Sequence, residues 1–154
     1  MSFVIEKDPN LIPQVLSTIL DSTSNGITLA DPDIEDMPIV YANKAFETMT
    51  GYAQDEIIGR NCRFLQGTDR DQNARAQLRK AIDDRLPVEV DIRNYKKNGE
   101  MFYNHLVLTP LFDDENQLLY YLGVQYDITM QVEAAQEIAQ LKQRLAELEA
   151  KPRD

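Results

Sequence analysis

The stretch PVEVDIRNYKKNGEMFYNHLVLTPLF, residues 87–112, decides the fold. Val88, Val90 and Ile92 alternate with Glu89, Asp91 and Arg93. A period of two marks a strand with one face buried. Asn98-Gly99 is a hairpin turn signal, because both residue types tolerate the positive φ of a tight turn. EMFYNHLVLTPLF then returns as the partner strand. After the turn residues DDEN, QLLYYLGVQYDIT reads as a third strand.

Working outward, the segment DQNARAQLRKAIDDR, residues 71–85, has helical spacing, with Asp69 or Asp71 as its cap. QDEIIGRNCRFLQG is a short helical passage broken at Gly59 and Gly67, and NKAFETMTGY is a short helix stopped by Gly51. ITLAD and PIVYAN are two short strands around a Pro/Asp-rich turn. In PNLIPQVLSTILDST, Leu11, Val15, Leu16, Ile19 and Leu20 recur at helical spacing, and Pro13 is tolerable in a first turn. Asn25-Gly26 ends that helix. A long helix, MQVEAAQEIAQLKQRLAELEA, closes the chain. Short helices that interrupt one antiparallel sheet imply an α+β domain with helices on one face and a pocket between the two layers. The expected division is an N-terminal cap helix over 1–24, a core over 25–129 and a C-terminal helix over 130–154.

Composition fits a soluble domain. The chain has 154 residues, 43% of them apolar and 27% charged. No apolar run reaches the length of a membrane span, and the start MSFVIEKDPN lacks a signal pattern. A single cysteine, Cys62, cannot close an internal disulfide, so a reducing, cytoplasmic setting is expected. With one histidine, His105, no metal-ligand spacing exists. The net charge of −10 opposes nucleic acid. Yet residues 60–80 hold Arg60, Arg63, Arg70, Arg75, Arg79 and Lys80 against Asp69 and Asp71. Such a patch is either a solvated helix face or a seat for a small anionic ligand.

Strand parity adds a second clue. Asn94 shares a face with Val90 and Ile92, Asn104 with Phe102 and Leu106, and Gln125 with Tyr121 and Gly123. His105 has the opposite parity. A buried amide without partners costs about 1–3 kcal/mol. These amides therefore either pair with one another and the backbone, or read the edge of a planar heterocycle. Arginines can hold a phosphate, and Leu65, Ile82, Leu106 and Leu108 can sandwich a ring. A phosphorylated aromatic ligand beside a thiol describes a flavin nucleotide.

The residues GRNCRFLQG, 59–67, resemble the signature of light–oxygen–voltage (LOV) domains, the blue-light-sensing branch of the PAS fold. MPIVYANKAFETMTGY, NYKKNGEMFYN and YLGVQYDIT extend the likeness over nearly the whole chain, whose size is similar to that of short bacterial LOV proteins. The resemblance implies a PAS fold with a five-stranded antiparallel sheet, and a photoreceptor rather than an enzyme. It implies that Cys62 bonds reversibly to the C4a carbon of a light-excited flavin. Asn61, Gln66, Asn94, Asn104 and Gln125 would hydrogen-bond the flavin, and Arg63 and Arg79 its phosphate, with Arg70 and Arg75 as additional phosphate ligands. Thr28, Ile39, Leu65, Ile82, Leu106, Leu108 and Tyr121 would line the ring pocket. FMN is implied over FAD, because only TDR separates Gly67 from the expected helix cap. Tyr121 stands where the family commonly has phenylalanine, and Tyr103 where tryptophan is common.

The rivals are weaker. A nucleophilic enzyme built on Cys62 needs a base, and a haem sensor needs an axial histidine, but His105 points to the other face. A flavin redox sensor does not need the cysteine, and a plain dimerisation module does not need the amides. Protonation of flavin N5 turns an acceptor into a donor, and Gln125 can answer by rotating its amide. Gln125 lies four residues before Thr129, where the C-terminal helix is expected to start. On that helix Ala134, Ile138, Leu141, Leu145 and Leu148 form an a/d seam. The seam predicts a homodimer, with the alternative that the helix folds back on its own domain. No kinase lobe or DNA-reading helix is visible, so output passes through dimer geometry or an effector protein.

Overall fold

A computed structural model describes residues 12–152. The expected helix start at residues 9–11, with Leu11, lies outside the described residues. Helix α1 spans Ile12–Asp21, strand β1 Gly26–Ala30 and strand β2 Ile39–Ala42. Two short helices follow, α2 over Lys44–Thr50 and α3 over Gln54–Ile57, and then a 3-10 turn over Cys62–Gln66. Helix α4 spans Asn73–Asp84. Strands β3 (Val88–Tyr95), β4 (Met101–Phe112) and β5 (Leu118–Asp127) precede helix α5 (Thr129–Ala150).

The strands form one antiparallel sheet in the order β2-β1-β5-β4-β3. The hairpin at Asn98-Gly99 forms as expected, with Gly99 at φ 88° and the Gly99 amide donating to Lys96 O. Helix α2 packs on β1, α3 beside β2, and α4 and the 3-10 turn on β3. The sheet is thus covered on one face, and the α+β arrangement agrees with the sequence reading.

Local polar groups fix the junctions. Asn43 caps α2, its Oδ1 accepting from Phe46 N at 3.1 Å and from Ile27 N at 2.8 Å. Its Nδ2 donates to Leu20 O at 2.8 Å and to Asn25 O at 3.0 Å. One amide therefore joins the end of α1, the start of β1 and the start of α2. β3 is an edge strand, whose unpaired backbone groups invite non-native pairing. Gln72 covers one residue's pair of them, its Oε1 accepting from Arg93 N at 2.8 Å and its Nε2 donating to Arg93 O at 3.1 Å.

One sequence expectation is corrected. The α4 cap is Gln72, with no side-chain capping bond, rather than Asp69 or Asp71. Asp69 instead accepts from Arg93 Nε at 2.7 Å, Arg93 Nη2 at 2.9 Å and Tyr95 Oη at 2.8 Å. A bidentate guanidinium is a stronger partner for a carboxylate than a helix amide. The passage over 54–67 is broken near Gly59 and at Gly67, as the sequence reading expects. Ile58 is extended, and the chain around it pairs with β2, Gly59 N donating to Ile39 O and Ile39 N to Arg60 O.

The C-terminal helix does not fold back on the domain. Ile138, Leu141, Leu145 and Leu148 are each more than half exposed. Only its root is held. Asp127 Oδ1 accepts from Thr129 N at 2.8 Å, and Thr129 Oγ1 accepts from Tyr103 N at 2.9 Å. Ile128 N donates to Tyr103 O at 2.9 Å.

The buried interior is divided into two apolar clusters. Ile39, Ala42, Phe46, Ile57 and Leu65 form one, and Ala74, Val90, Ile92 and Leu106 the other. The polar residues Thr28, Asn94, Asn104 and Gln125 are buried with them.

Candidate functional site

Four adjacent strands contribute a row of buried polar side chains. Asn104 Nδ2 (β4) donates to Asn94 Oδ1 (β3) and to Gln125 Oε1 (β5), each at 2.9 Å. Gln125 Nε2 donates to Thr28 Oγ1 (β1) at 3.3 Å. The alternation that buries Val90 and Ile92 also buries Asn94, and the antiparallel register sets Asn104 opposite Ile92 and Gln125 opposite Leu106. Gly123 lets this row close. A Cβ there would lie 2.6 Å from Thr28 Oγ1, 3.4 Å from Gln125 Nε2 and 3.5 Å from Leu106 Cδ1.

On the helical side, a cavity of about 180 Å3 is lined by residues that include Asn61, Cys62, Arg63, Gln66, Arg75, Arg79 and Ile82. Arg75, Leu78, Arg79 and Ile82 recur at helical spacing and present one face of α4. The 3-10 turn supplies the other wall. It opens at Asn61, whose Oδ1 accepts from Arg63 N at 3.0 Å, and ends at Gly67 with φ 57°. The cavity opens Cys62 to solvent, while dense protein around the sulfur makes desolvation the dominant influence on it. That burial raises the thiol pKa, Arg63 opposes it, and Asp36 offsets part of the Arg63 pull. The net direction favours the neutral thiol.

Not every predicted residue sits on this wall. Arg70 does not line the cavity; its Nε donates to Gly67 O at 3.0 Å and its carbonyl accepts from Arg75 Nη1 at 2.5 Å. Arg60 stacks over Phe64, 5.2 Å from the ring centroid, and Lys80 pairs with Asp84. The cationic patch thus resolves into Arg63, Arg75 and Arg79 at the cavity and the rest elsewhere. Thr28, Asn94, Asn104 and Gln125 make up the sheet row. Ile39 and Leu65 share one apolar cluster, and Leu106 lies in the other. Leu108 is half-buried, paired with Val88 and Gly123. Tyr121 is 2% exposed, and its hydroxyl donates to Ile82 O at 3.0 Å. Sequence reasoning missed Met37, Leu78 and Asp83 at the cavity. Leu78 was findable, since it completes the helical face of Arg75, Arg79 and Ile82. His105 lies on the opposite sheet face, its two ring nitrogens 2.6 Å from Asp91 Oδ1 and Glu89 Oε1.

Gln66 Oε1 and Asn104 Oδ1 are sealed from solvent and accept no hydrogen bond from the protein; among the described residues Tyr41 Oη is the other buried side-chain polar atom without a partner. Buried acceptors normally find a donor. Two amide oxygens left over on the helix-facing side suit a ligand with N–H or O–H groups on its edge. No cluster of three or more side chains that could hold a metal is present among the described residues.

The sheet order and helical face define a PAS-type sensory domain, and the family model for the PAS domain matches residues 24–130. A blue-light photoreceptor from Listeria innocua is 42% identical over 115 residues, covering 75% of this chain and 45% of that protein. Blue-light-activated histidine kinase 2 of Erythrobacter litoralis is 43% identical over 123 residues, covering 80% of this chain and 35% of the kinase. The chain therefore spans under half the length of these curated relatives. The solved LOV domain of the Erythrobacter litoralis EL346 blue-light activated histidine kinase is 45% identical, with a TM-score of 0.64 over 68% of this chain and 96% of that domain. An RNA-binding light–oxygen–voltage receptor superposes with a TM-score of 0.81 at 38% identity, over 93% of this chain and 40% of the receptor. The chain belongs to the LOV domains of the PAS superfamily.

Proposed function

We propose that this chain is a blue-light sensor that binds FMN between its sheet and its helical face, and that it is not an enzyme. The observation that carries this reading is the pair of sealed amide oxygens, Gln66 Oε1 and Asn104 Oδ1, in a domain whose cavity also presents Cys62 and three arginines. The flavin supplies the absorption of blue light and a ring carbon, C4a, that accepts the Cys62 sulfur reversibly. The protein supplies placement. Cys62 holds a neutral thiol at the cavity. Asn94, Asn104 and Gln125 offer the amide edge, and Arg63, Arg75 and Arg79 offer charge for the phosphate. Asn61 lines the cavity but already spends its amide on Arg63 N and Asp36 O, so its contribution to the flavin is secondary.

Gln125 is the proposed relay. It lies in the hydrogen-bonded row and on the strand that ends at Asp127, which holds the root of α5. A local hydrogen-bond change there can bias the helix. The exposed a/d seam of α5 and the exposed Val15, Leu16 and Ile19 of α1 support a homodimer through the terminal helices, with passage of the signal to an effector. A monomer in sedimentation at tens of micromolar would remove the dimer from this account. No helix among the described residues is long and apolar enough to cross a membrane. The net charge of −10 opposes a polyanionic partner, so RNA binding is not extended to this chain. A cytoplasmic setting fits the single free cysteine.

The test is an absorbance spectrum in the dark, after blue light and during recovery, on the wild type and Cys62→Ala. Reversible loss of the blue band in the wild type alone is expected. A bound flavin that bleaches equally in both, or in neither, overturns the role of Cys62. A protein that binds no flavin overturns the cofactor.

A further inference from the structure

The turn between β1 and β2, DPDIEDMP at residues 31–38, is acidic, and it meets the cavity at Met37 and at the Asp36–Arg63 pair. Asp36 and Met37 follow one another with φ of 66° and 46°, the left-handed region that side chains rarely adopt. Asn61 holds them there, Nδ2 donating to Asp36 O at 2.7 Å. This backbone turns the Asp36 carboxylate onto Arg63, and the two form an ion pair. Arg63 lines the cavity with Arg75 and Arg79, whereas Asp36 lines the neighbouring pocket and reaches the cavity only through Arg63.

We infer that Asp36 is a specificity-determining residue that competes with the anionic group of the ligand for Arg63. This rests on the flavin reading above. A guanidinium carries one positive charge, and a phosphate carries up to two negative ones. When phosphate reaches Arg63, the carboxylate is either displaced or held beside a second anion. Both cost free energy, and neither arises with a flavin that lacks phosphate. Asp36 therefore lowers the affinity for FMN while leaving that for riboflavin alone, and narrows the discrimination between them. Its half-exposed position keeps the effect small and salt-sensitive.

The experiment titrates flavin-free full-length protein with FMN and with riboflavin, following quenching of flavin fluorescence, for the wild type, Asp36→Asn and Glu35→Gln. Asparagine tolerates the left-handed backbone as well as aspartate does, so Asp36→Asn keeps the turn. Glu35→Gln removes one charge from the same turn without touching Arg63. Asp36→Asn is expected to raise the ratio of FMN to riboflavin affinity about two- to fivefold at low salt, and Glu35→Gln to leave it unchanged. In an Arg63→Gln background the Asp36→Asn gain disappears. A ratio that stays constant or falls in Asp36→Asn overturns the inference, as does an equal rise in Glu35→Gln, which would report the general field alone. A wild type that binds neither flavin fails the flavin reading itself and takes this inference with it.

Discussion

Replacing Gly123 by alanine is expected to destabilise the domain through the polar row. The new Cβ would lie 2.6 Å from Thr28 Oγ1, a distance real Cβ contacts do not show. The clash is not with the end of a flexible chain. Thr28 is β-branched and stiff at χ1, so its hydroxyl leaves only if the whole side chain turns or the strands part. Overpacking of this kind costs about 1–3 kcal/mol. If the hydroxyl turns away, Gln125 Nε2 loses its 3.3 Å partner. A buried donor left alone adds about 1–3 kcal/mol. Against this, an alanine in place of glycine at a permitted φ gains about 0.4–1 kcal/mol by restricting the unfolded chain. The balance is a loss of about 2 kcal/mol, or a fall in Tm of roughly 4–8 °C for a domain of this size. Thermal unfolding of Gly123→Ala, alone and combined with Thr28→Ala, measures it. The cost should vanish in the Thr28→Ala background, where the clashing atom is gone. The same loss in both backgrounds, or no loss in either, would refute the role given to Gly123.

Two further outcomes test other parts of the structure. Tyr121→Phe removes the bond to Ile82 O but keeps the ring, and Ile82 O retains the Arg85 amide at 3.2 Å, so no acceptor is orphaned. The expected loss is about 1 kcal/mol, seen as a Tm lower by roughly 2–4 °C, and a loss several times larger would show that the hydroxyl does more. Asp69, held by the Arg93 and Tyr95 hydrogen bonds, has its pKa lowered from 3.8 to about 2. A depressed carboxylate contributes stability above its unfolded pKa and loses it as pH falls through the folded one. Tm should therefore drop between pH 4 and pH 2 more steeply in the wild type than in Asp69→Asn, and parallel curves would remove Asp69 from the acid response.

Element type was legible wherever one residue carried one signal. The alternation around Val90 and Ile92, the turn at Asn98-Gly99 and the stop at Gly51 each read correctly, because each depends on its immediate neighbours. Parity alone placed Asn94 and Asn104 inside. Gln125 read less clearly, since β5 is apolar on both faces, and only pairing with β1 and β4 decides its side. What failed were choices between partners. Asp69 had a helix amide in reach by sequence and a guanidinium in reach by fold, and the stronger acceptor–donor match won. The Asn43 cap and its bonds to Leu20 and Asn25 were not read from sequence, because the bonds join residues about 20 positions apart. Gly123 carries no turn and no positive φ, so its need to be glycine exists only once β1 lies beside β5. The cationic patch was visible as charge, but which arginines face the cavity depends on the α4 face and on competitors such as Asp36 and Gly67 O.

Helix α5 has 22 residues and is attached to the domain at one end. At 1.5 Å per residue it is a rod of about 33 Å. Its bearing is small, formed by Asp127, Thr129 and the backbone of Tyr103. A tilt of ~10° there carries the far end through ~6 Å, more than the diameter of an atom and close to one helical turn. If the proposed relay holds, a rearrangement of a single amide two residues upstream of the bearing would be magnified by leverage, without any need for the domain itself to change shape.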